Sequence, residues 1–120
     1  MDPDCGCTCY VGRVLTDIEV KPSPAWLSTL LHSIEIPSIN NVVDTTNFIL
    51  MDIGQPLHSF DMDQLSGNSI HVRRAKADEK ITTIDHKEYL LAPTDLAICD
   101  GNTPACVAGV MGGAESEINE

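Results

Sequence analysis

Aromatic residues are scarce in this 120-residue chain: they make up 4% of it, as one Trp, two Tyr and two Phe. Val, Ile, Leu and Ala must therefore fill the interior of a chain whose apolar fraction, 42%, is ordinary for a globular protein. The length suits one compact unit with a modest core. No apolar run approaches the roughly 20 residues that a membrane-spanning helix needs. The first residues, Met1-Asp2-Pro3-Asp4, are acidic and have neither the basic region nor the apolar stretch of a secretory signal. Basic residues are also few. Lys and Arg number 7 against 18 Asp and Glu, a formal net charge of −11. Non-specific nucleic-acid binding depends on basic side chains displacing counterions from phosphates, so a surface this acidic repels a duplex. Any nucleic-acid contact must be local or be made by other parts of a larger protein. Arg73, Arg74 and Lys76 form the only basic cluster.

The five cysteines are Cys5, Cys7, Cys9, Cys99 and Cys106, an odd number. The first three stand at C-x-C-x-C spacing with no matching C-x-x-C further on. Zinc binding would need other ligands; the alternative is a reduced cytosolic strand start. Cys99 and Cys106 lie in apolar runs on either side of a turn and read as small core residues.

Tyr10 to Val20 is rich in β-branched residues and predicts a strand. Ser23-Pro24 predicts a helix start, with Ser at the N-cap and Pro at the first helical position. Leu27, Leu30, Leu31 and Ile34 then recur at helical spacing as one apolar face, and Pro37 ends the helix. A second helix is predicted from about Val42 to Ile53, with Val42, Thr46, Ile49, Leu50 and Ile53 on one face and Gly54 at its C-terminal cap. The remainder is β-rich. Ser69 to Lys76 alternates in part, Asp85-His86-Lys87 is a hairpin turn between Ile81–Asp85 and Glu88–Leu91, and Asp100-Gly101-Asn102 is a turn between Leu96–Cys99 and Ala105–Val110. Two helices ahead of short antiparallel strands predict an α+β fold. Repeats and low-complexity segments are absent. Ala114 to Glu120 looks like the approach to another element, so residues 1–120 read as a single, truncated domain.

Chemistry concentrates in Gly54-Gln55-Pro56-Leu57-His58-Ser59-Phe60-Asp61. Pro56 fixes its own φ and biases Gln55 toward an extended conformation, so the backbone aims His58. An imidazole there can order a water or exchange a proton near neutral pH; the residues alone leave equally open a histidine hydrogen-bonded into a loop. Thr46 shares the apolar face of the second helix, so its hydroxyl either lines a cavity or bonds back to a carbonyl one turn earlier. Asp44 and Asn47, three apart, are placed to bond each other or the following loop. Ala108-Gly109-Val110-Met111-Gly112-Gly113 is neither a P-loop nor a dinucleotide fingerprint. Its N–H groups suit an oxyanion, or the segment is a tight turn leaving a strand. Asp61-x-Asp63 resembles the start of a calcium loop, but the later glycine and glutamate are out of register. His32, His71 and His86 lack metal-ligand spacing and read as structural or exposed. Glu115, Glu117 and Glu120 read as a solvated face.

Four blocks, in this order and spacing, resemble the editing domain of the beta subunit of bacterial phenylalanyl-tRNA synthetase: Ser23-Pro24-Ala25-Trp26-Leu27, Ile39 to Phe48, Gly54 to Asp61, and Ala108 to Gly113. The resemblance runs from about Cys7 to Glu120. It implies part of a β-sandwich-like domain within a cytoplasmic enzyme of two alpha and two beta subunits, which joins phenylalanine to tRNA(Phe) with ATP and magnesium. Synthesis is implied on the alpha subunit. The domain resembled here hydrolyses tyrosine misattached to that tRNA and needs no cofactor or metal of its own. Thr46, Pro56, His58 and Gly112 match positions lining the editing pocket, His58 as the catalytic group that orients water or the terminal ribose. Asn47, Gln55 and Gly113 are adjacent members of the same motifs. A glutamate downstream of Gly112-Gly113 is implied as the partner of the tyrosine hydroxyl, and it is expected beyond Glu120. The remaining readings are a noncatalytic architectural or tRNA-binding module of the synthetase and a free-standing protein that edits in trans.

Overall fold

The computed structural model describes residues 1–65, 69–101 and 103–114, and these form two compact units. One is Val14–Ser59. The other takes Met1–Arg13 and the described chain from Phe60 onward. Both α-helices lie in the first and the antiparallel strands in the second, which makes the α+β class expected from the sequence. No helix among the described residues is long and apolar enough to cross a membrane.

The helical unit holds α1 (Ala25–Ser33) and α2 (Asn41–Ile53). Ser23 does not cap α1. Pro24 occupies the N-cap, and the Ser23 hydroxyl instead donates to Asp44 Oδ2. Leu27 and Leu31 are buried as the spacing predicts, but Leu30 and Ile34 are exposed, so the apolar face is narrower than expected. Two edges meet where the Trp26 and Phe48 rings pack T-shaped at 5.8 Å. Gly54 closes α2 in the left-handed conformation (φ 72°), its N–H donating to the Leu50 carbonyl at 2.9 Å. That geometry is one glycine adopts without a Cβ penalty.

The polar residues that open α2 hold this unit together. Asn40 Oδ1 accepts from the Val42 and Val43 N–H groups at 3.1 and 2.9 Å, a side-chain N-cap. Asn41 clamps the incoming chain. Its Oδ1 accepts from the Lys21 N–H, its Nδ2 donates to the Glu19 carbonyl, and its N–H donates to the Lys21 carbonyl. Asp44, with 0% of its surface exposed, accepts from the hydroxyls of Ser23 and Ser38 and from the Ile39 N–H at 2.8 Å. Asp44 thus bonds the segments before each helix rather than Asn47. On α2 itself Asp44 is the one buried residue, and the predicted face of Val42, Thr46, Ile49, Leu50 and Ile53 is not closed over.

Tyr10 to Val20 forms no strand. Asp17 adopts a positive φ of 59°, which breaks an extended run, and Val11 is 84% exposed. Branched side chains favour extended backbone but supply no sheet partner.

In the other unit β1 (Ile70–Arg74), β4 (Leu96–Asp100), β5 (Thr103–Val107) and β6 (Met111–Gly112) make an antiparallel sheet in the order β1-β4-β5-β6. β2 (Lys80–Thr82) and β3 (Glu88–Leu90) form a separate hairpin. Both predicted turns lie between paired strands, with His86 (φ 58°) in one and Gly101 (φ 55°) in the other, whose Asn102 lies outside the described residues. Side chains alternate along β4, so the sheet buries both faces. Ala97 and Cys99 pack with Ala75, Ile81 and Leu91 on one side. Ile98 packs with Cys5, Val72 and Cys106 on the other. Cys99 and Cys106 are therefore core residues, as expected, and burial raises the pKa of both thiols. The N-terminal arm runs along β1, where the Asp2 N–H donates to the Val72 carbonyl and the Asp2 carboxylate meets His71 Nε2 at 2.7 Å. Cys5, Cys7 and Cys9 start no strand.

The basic cluster is less basic than its sequence. Arg73 is buried, 6% exposed, and both guanidinium nitrogens donate to Glu79, at 2.8 and 2.6 Å. Glu79 also accepts from the Lys76 N–H at 2.8 Å.

Candidate functional site

The expected site residues divide between the two units. Thr46, Asn47, Gln55, Pro56 and His58 belong to Val14–Ser59, and Gly112 and Gly113 belong to the sheet. Thr46 and Asn47 are half-buried on the middle of α2. The Thr46 hydroxyl donates to the Val43 carbonyl at 2.7 Å, which leaves its oxygen able to accept. The left-handed Gly54 turns the chain out of α2 into exposed Gln55, Pro56, Leu57 and His58. The Gln55 amide reaches the Pro56 carbonyl only at the long distance of 3.5 Å. His58 as a whole residue is exposed, yet neighbouring atoms desolvate its ring enough to lower its pKa below the ordinary histidine value. Its imidazole is accordingly neutral at pH 7 and suited to accept a proton.

The diglycine corner is closely packed at Gly113. Gly109 (φ 72°) turns the chain after β5, and Gly112, buried in β6, pairs with Cys106. Across β4 and β5 the register slips between Ile98 and Cys99, making Ala105 a bulge residue whose carbonyl accepts the Gly113 N–H at 2.8 Å. This N–H is committed to the sheet and does not serve the oxyanion role weighed for the segment. A Cβ on Gly113 would stand 2.6 Å from the Ala105 oxygen, a backbone atom that cannot swing aside. Gly113→Ala should therefore cost about 2 kcal/mol, the scale of overpacking a rigid site. A urea unfolding midpoint equal to that of the unsubstituted chain would show that the corner relaxes freely.

Sequence reasoning missed a cleft of about 230 Å³ in the sheet unit. Gln64, Leu65, Lys80, Glu88, Thr103 and Gly113 are among its lining residues. Lys80 and Glu88 pair across the hairpin at 2.7 Å, so the charges on that wall compensate each other. A diagonal cross-strand pair of this kind was the only signal in the sequence. Asp61 caps a short 3-10 turn (Met62–Gln64) through the Asp63 N–H, which explains the Asp-x-Asp spacing without a cation. His32 Nε2 accepts from the Ser38 N–H, at the long distance of 3.4 Å, and His71 meets Asp2, both structural uses. Among the described residues no group of three His, Cys, Asp or Glu side chains is arranged to hold a metal ion. Glu115, Glu117 and Glu120 lie outside the described residues.

Comparison with known proteins accounts for this combination of motifs. The chain is similar to phenylalanine–tRNA ligase beta subunits. The one from Anaeromyxobacter dehalogenans is 48% identical over 113 residues, 94% of this chain and 14% of the relative. That from Lactiplantibacillus plantarum is 48% identical over 111 residues, 92% of this chain and 14% of the relative. That from Moorella thermoacetica is 51% identical over 112 residues, 93% of this chain and 14% of the relative. The chain thus spans about 14% of the length of the curated relatives it matches. The family model described as B3/4 domain matches residues 6–120. The chain belongs to the B3/4 domain family.

Proposed function

We propose that this chain serves in a phenylalanine–tRNA ligase beta subunit and contributes to hydrolysis of tyrosine misattached to tRNA(Phe). The observation that carries this reading is the segment after α2. A left-handed glycine ends the helix, a Gln-Pro pair follows, and His58 stands exposed with a lowered pKa. The similarity to ligase beta subunits over nine-tenths of the chain supports the setting. In this reading the domain is assembled with an alpha subunit in a cytoplasmic enzyme, and ATP and magnesium act at the synthetic site there. Only the single-stranded acceptor end of the tRNA approaches this chain, which reconciles RNA recognition with a net charge of −11.

A second site is physically necessary for this discrimination. Tyrosine exceeds phenylalanine by one hydroxyl, and an apolar pocket rejects an added hydroxyl by only about 10²-fold. The substrate is an activated ester, so positioning a water against it supplies much of the catalysis without a nucleophilic Ser or Cys. His58 acts as the group that orients that water or the terminal ribose. Asn47, Gln55 and Pro56 shape the approach, Thr46 offers its hydroxyl oxygen as an acceptor, and Gly112 and Gly113 keep their corner free of side chains.

His58→Ala in the assembled ligase should lower deacylation of tyrosyl-tRNA(Phe) by about 10²-fold, at the lower end of general acid–base contributions, and leave phenylalanylation intact. Unchanged deacylation would remove His58 from the site. Gly112 is a poorer probe. It is buried and paired in the sheet, so a bulky residue there disturbs the fold as well as any pocket. A second reading, a noncatalytic architectural module, draws support from how much of the motif chemistry is spent on the fold: Asn40, Asn41, Asp44 and the Gly113 N–H all have structural partners. That reading predicts no change on His58→Ala.

A further inference from the structure

The C-x-C-x-C segment plays no part in the proposed hydrolysis, yet the fold gives its three thiols different fates. Cys5 is 2% exposed and packs in one core cluster with Val72, Ile98 and Cys106. Cys7 is half-buried and packs against the same cluster, its Sγ donating to the Cys9 carbonyl at 3.3 Å. Cys9 is exposed and lies outside the cluster, and Cys99 belongs to the opposite face of the sheet. All five are free thiols. Residues roughly 100 positions apart thus bring a reachable thiol, Cys7, against the cluster that holds a shielded one, Cys106. Tyr10 supports the placement: burial raises its pKa first, and Cys106 and Cys7 raise it further.

We infer that Cys7 and Cys106 form a reversible redox pair that, when oxidised, ties the N-terminal arm to β5. The chemistry balances with a small-molecule disulfide as oxidant. The Cys7 thiolate attacks one sulfur of that disulfide, giving a mixed disulfide and releasing one small thiol. Cys106, as its thiolate, then attacks Cys7 Sγ, forming the protein disulfide and releasing the second small thiol. Two protein thiols lose two electrons, one small disulfide gains them, and the two protons end on the released thiols. Cys5 is too enclosed for the first step and Cys9 is outside the cluster needed for the second. Burial holds Cys106 in its protonated form, so the second step is slow at neutral pH and quickens as pH rises. Transient pairs of this kind are the usual form of disulfide in reducing compartments.

The chain carrying Cys9→Ser, which removes the exposed thiol that would itself take up glutathione, should lose two of its four titratable thiols on treatment with oxidised glutathione, counted in denaturant. Its mass should fall by two hydrogens, and peptide mapping without reductant should join the Cys7 peptide to the Cys106 peptide. Dithiothreitol should restore all four thiols. A further Cys106→Ser should stop at a glutathione adduct on Cys7. A further Cys7→Ser, at a half-buried position that disturbs the core less, should keep its three remaining thiols unpaired. A link through Cys5, an adduct on the Cys9→Ser chain with no internal link, or four thiols retained would each overturn the assignment.

Discussion

Glu79→Ala should destabilise the chain by about 3–5 kcal/mol, the cost of leaving one half of a buried ion pair. Arg73 is almost fully enclosed on β1, and its two-pronged contact with Glu79 supplies the compensating charge. With the carboxylate gone, the guanidinium stays in a poorly solvated position, and the Lys76 N–H loses its acceptor as well. Small domains hold about 5–15 kcal/mol in total, so this substitution removes at least about a fifth. Its midpoint in urea should fall with the slope unchanged. Replacing both partners together, Arg73→Met with Glu79→Leu, should cost far less, because no charge is then buried alone. A single-substitution loss below about 1 kcal/mol would mean that water reaches Arg73 and that the pair counts only as a surface salt bridge.

Asp44→Ala is the second large effect. One carboxylate receives the Ser23 and Ser38 hydroxyls and the Ile39 N–H, and removing it strands three donors in a closed site. At about 1–3 kcal/mol for an unsatisfied buried group, partly relieved by water entering the space, the expected loss is about 3 kcal/mol. The pH dependence separates charge from shape. Burial pushes the Asp44 pKa up, but the Ile39, Ser23 and Ser38 hydrogen bonds and the nearby His32 outweigh it, and the net shift is downward. A carboxylate with a lowered folded pKa adds stability that is complete above its unfolded value near about 4 and is lost as pH falls through the folded value. Asp44→Asn keeps the shape and removes that titration. Its stability should decline less steeply than that of the unsubstituted chain below about pH 4, while remaining lower at pH 7. An acid limb of identical slope would show that folding does not shift the Asp44 pKa.

These two residues also mark where sequence reading stops. Local signals were legible. Gly54 ended α2 as its φ preference requires, and the turns at His86 and Gly101 fell between the expected strands. Long-range pairing was not. Ser23 has the chemistry of a helix cap, but Pro24 takes the N-cap and the Ser23 hydroxyl donates to Asp44, 21 residues away. Arg73 counts toward a basic cluster until Glu79 folds over it. The Tyr10–Val20 stretch has the composition of a strand, yet Asp17 turns it and no sheet edge receives it. At the candidate site, sequence pattern singled out the His58 segment and the Gly112-Gly113 corner, whereas the cleft beside Gly113 rests on tertiary placement that no motif encodes.

The sheet unit is split by the helical one, since Met1–Arg13 and Phe60 onward flank Val14–Ser59. During synthesis the arm bearing Cys5 leaves the ribosome long before the strand bearing Cys106. At about 5–20 residues per second, on the order of 5–20 s pass between them. Throughout that interval Cys5 lacks Cys106, one of the residues it packs with in the sheet unit, so its burial is completed only after β5 has emerged.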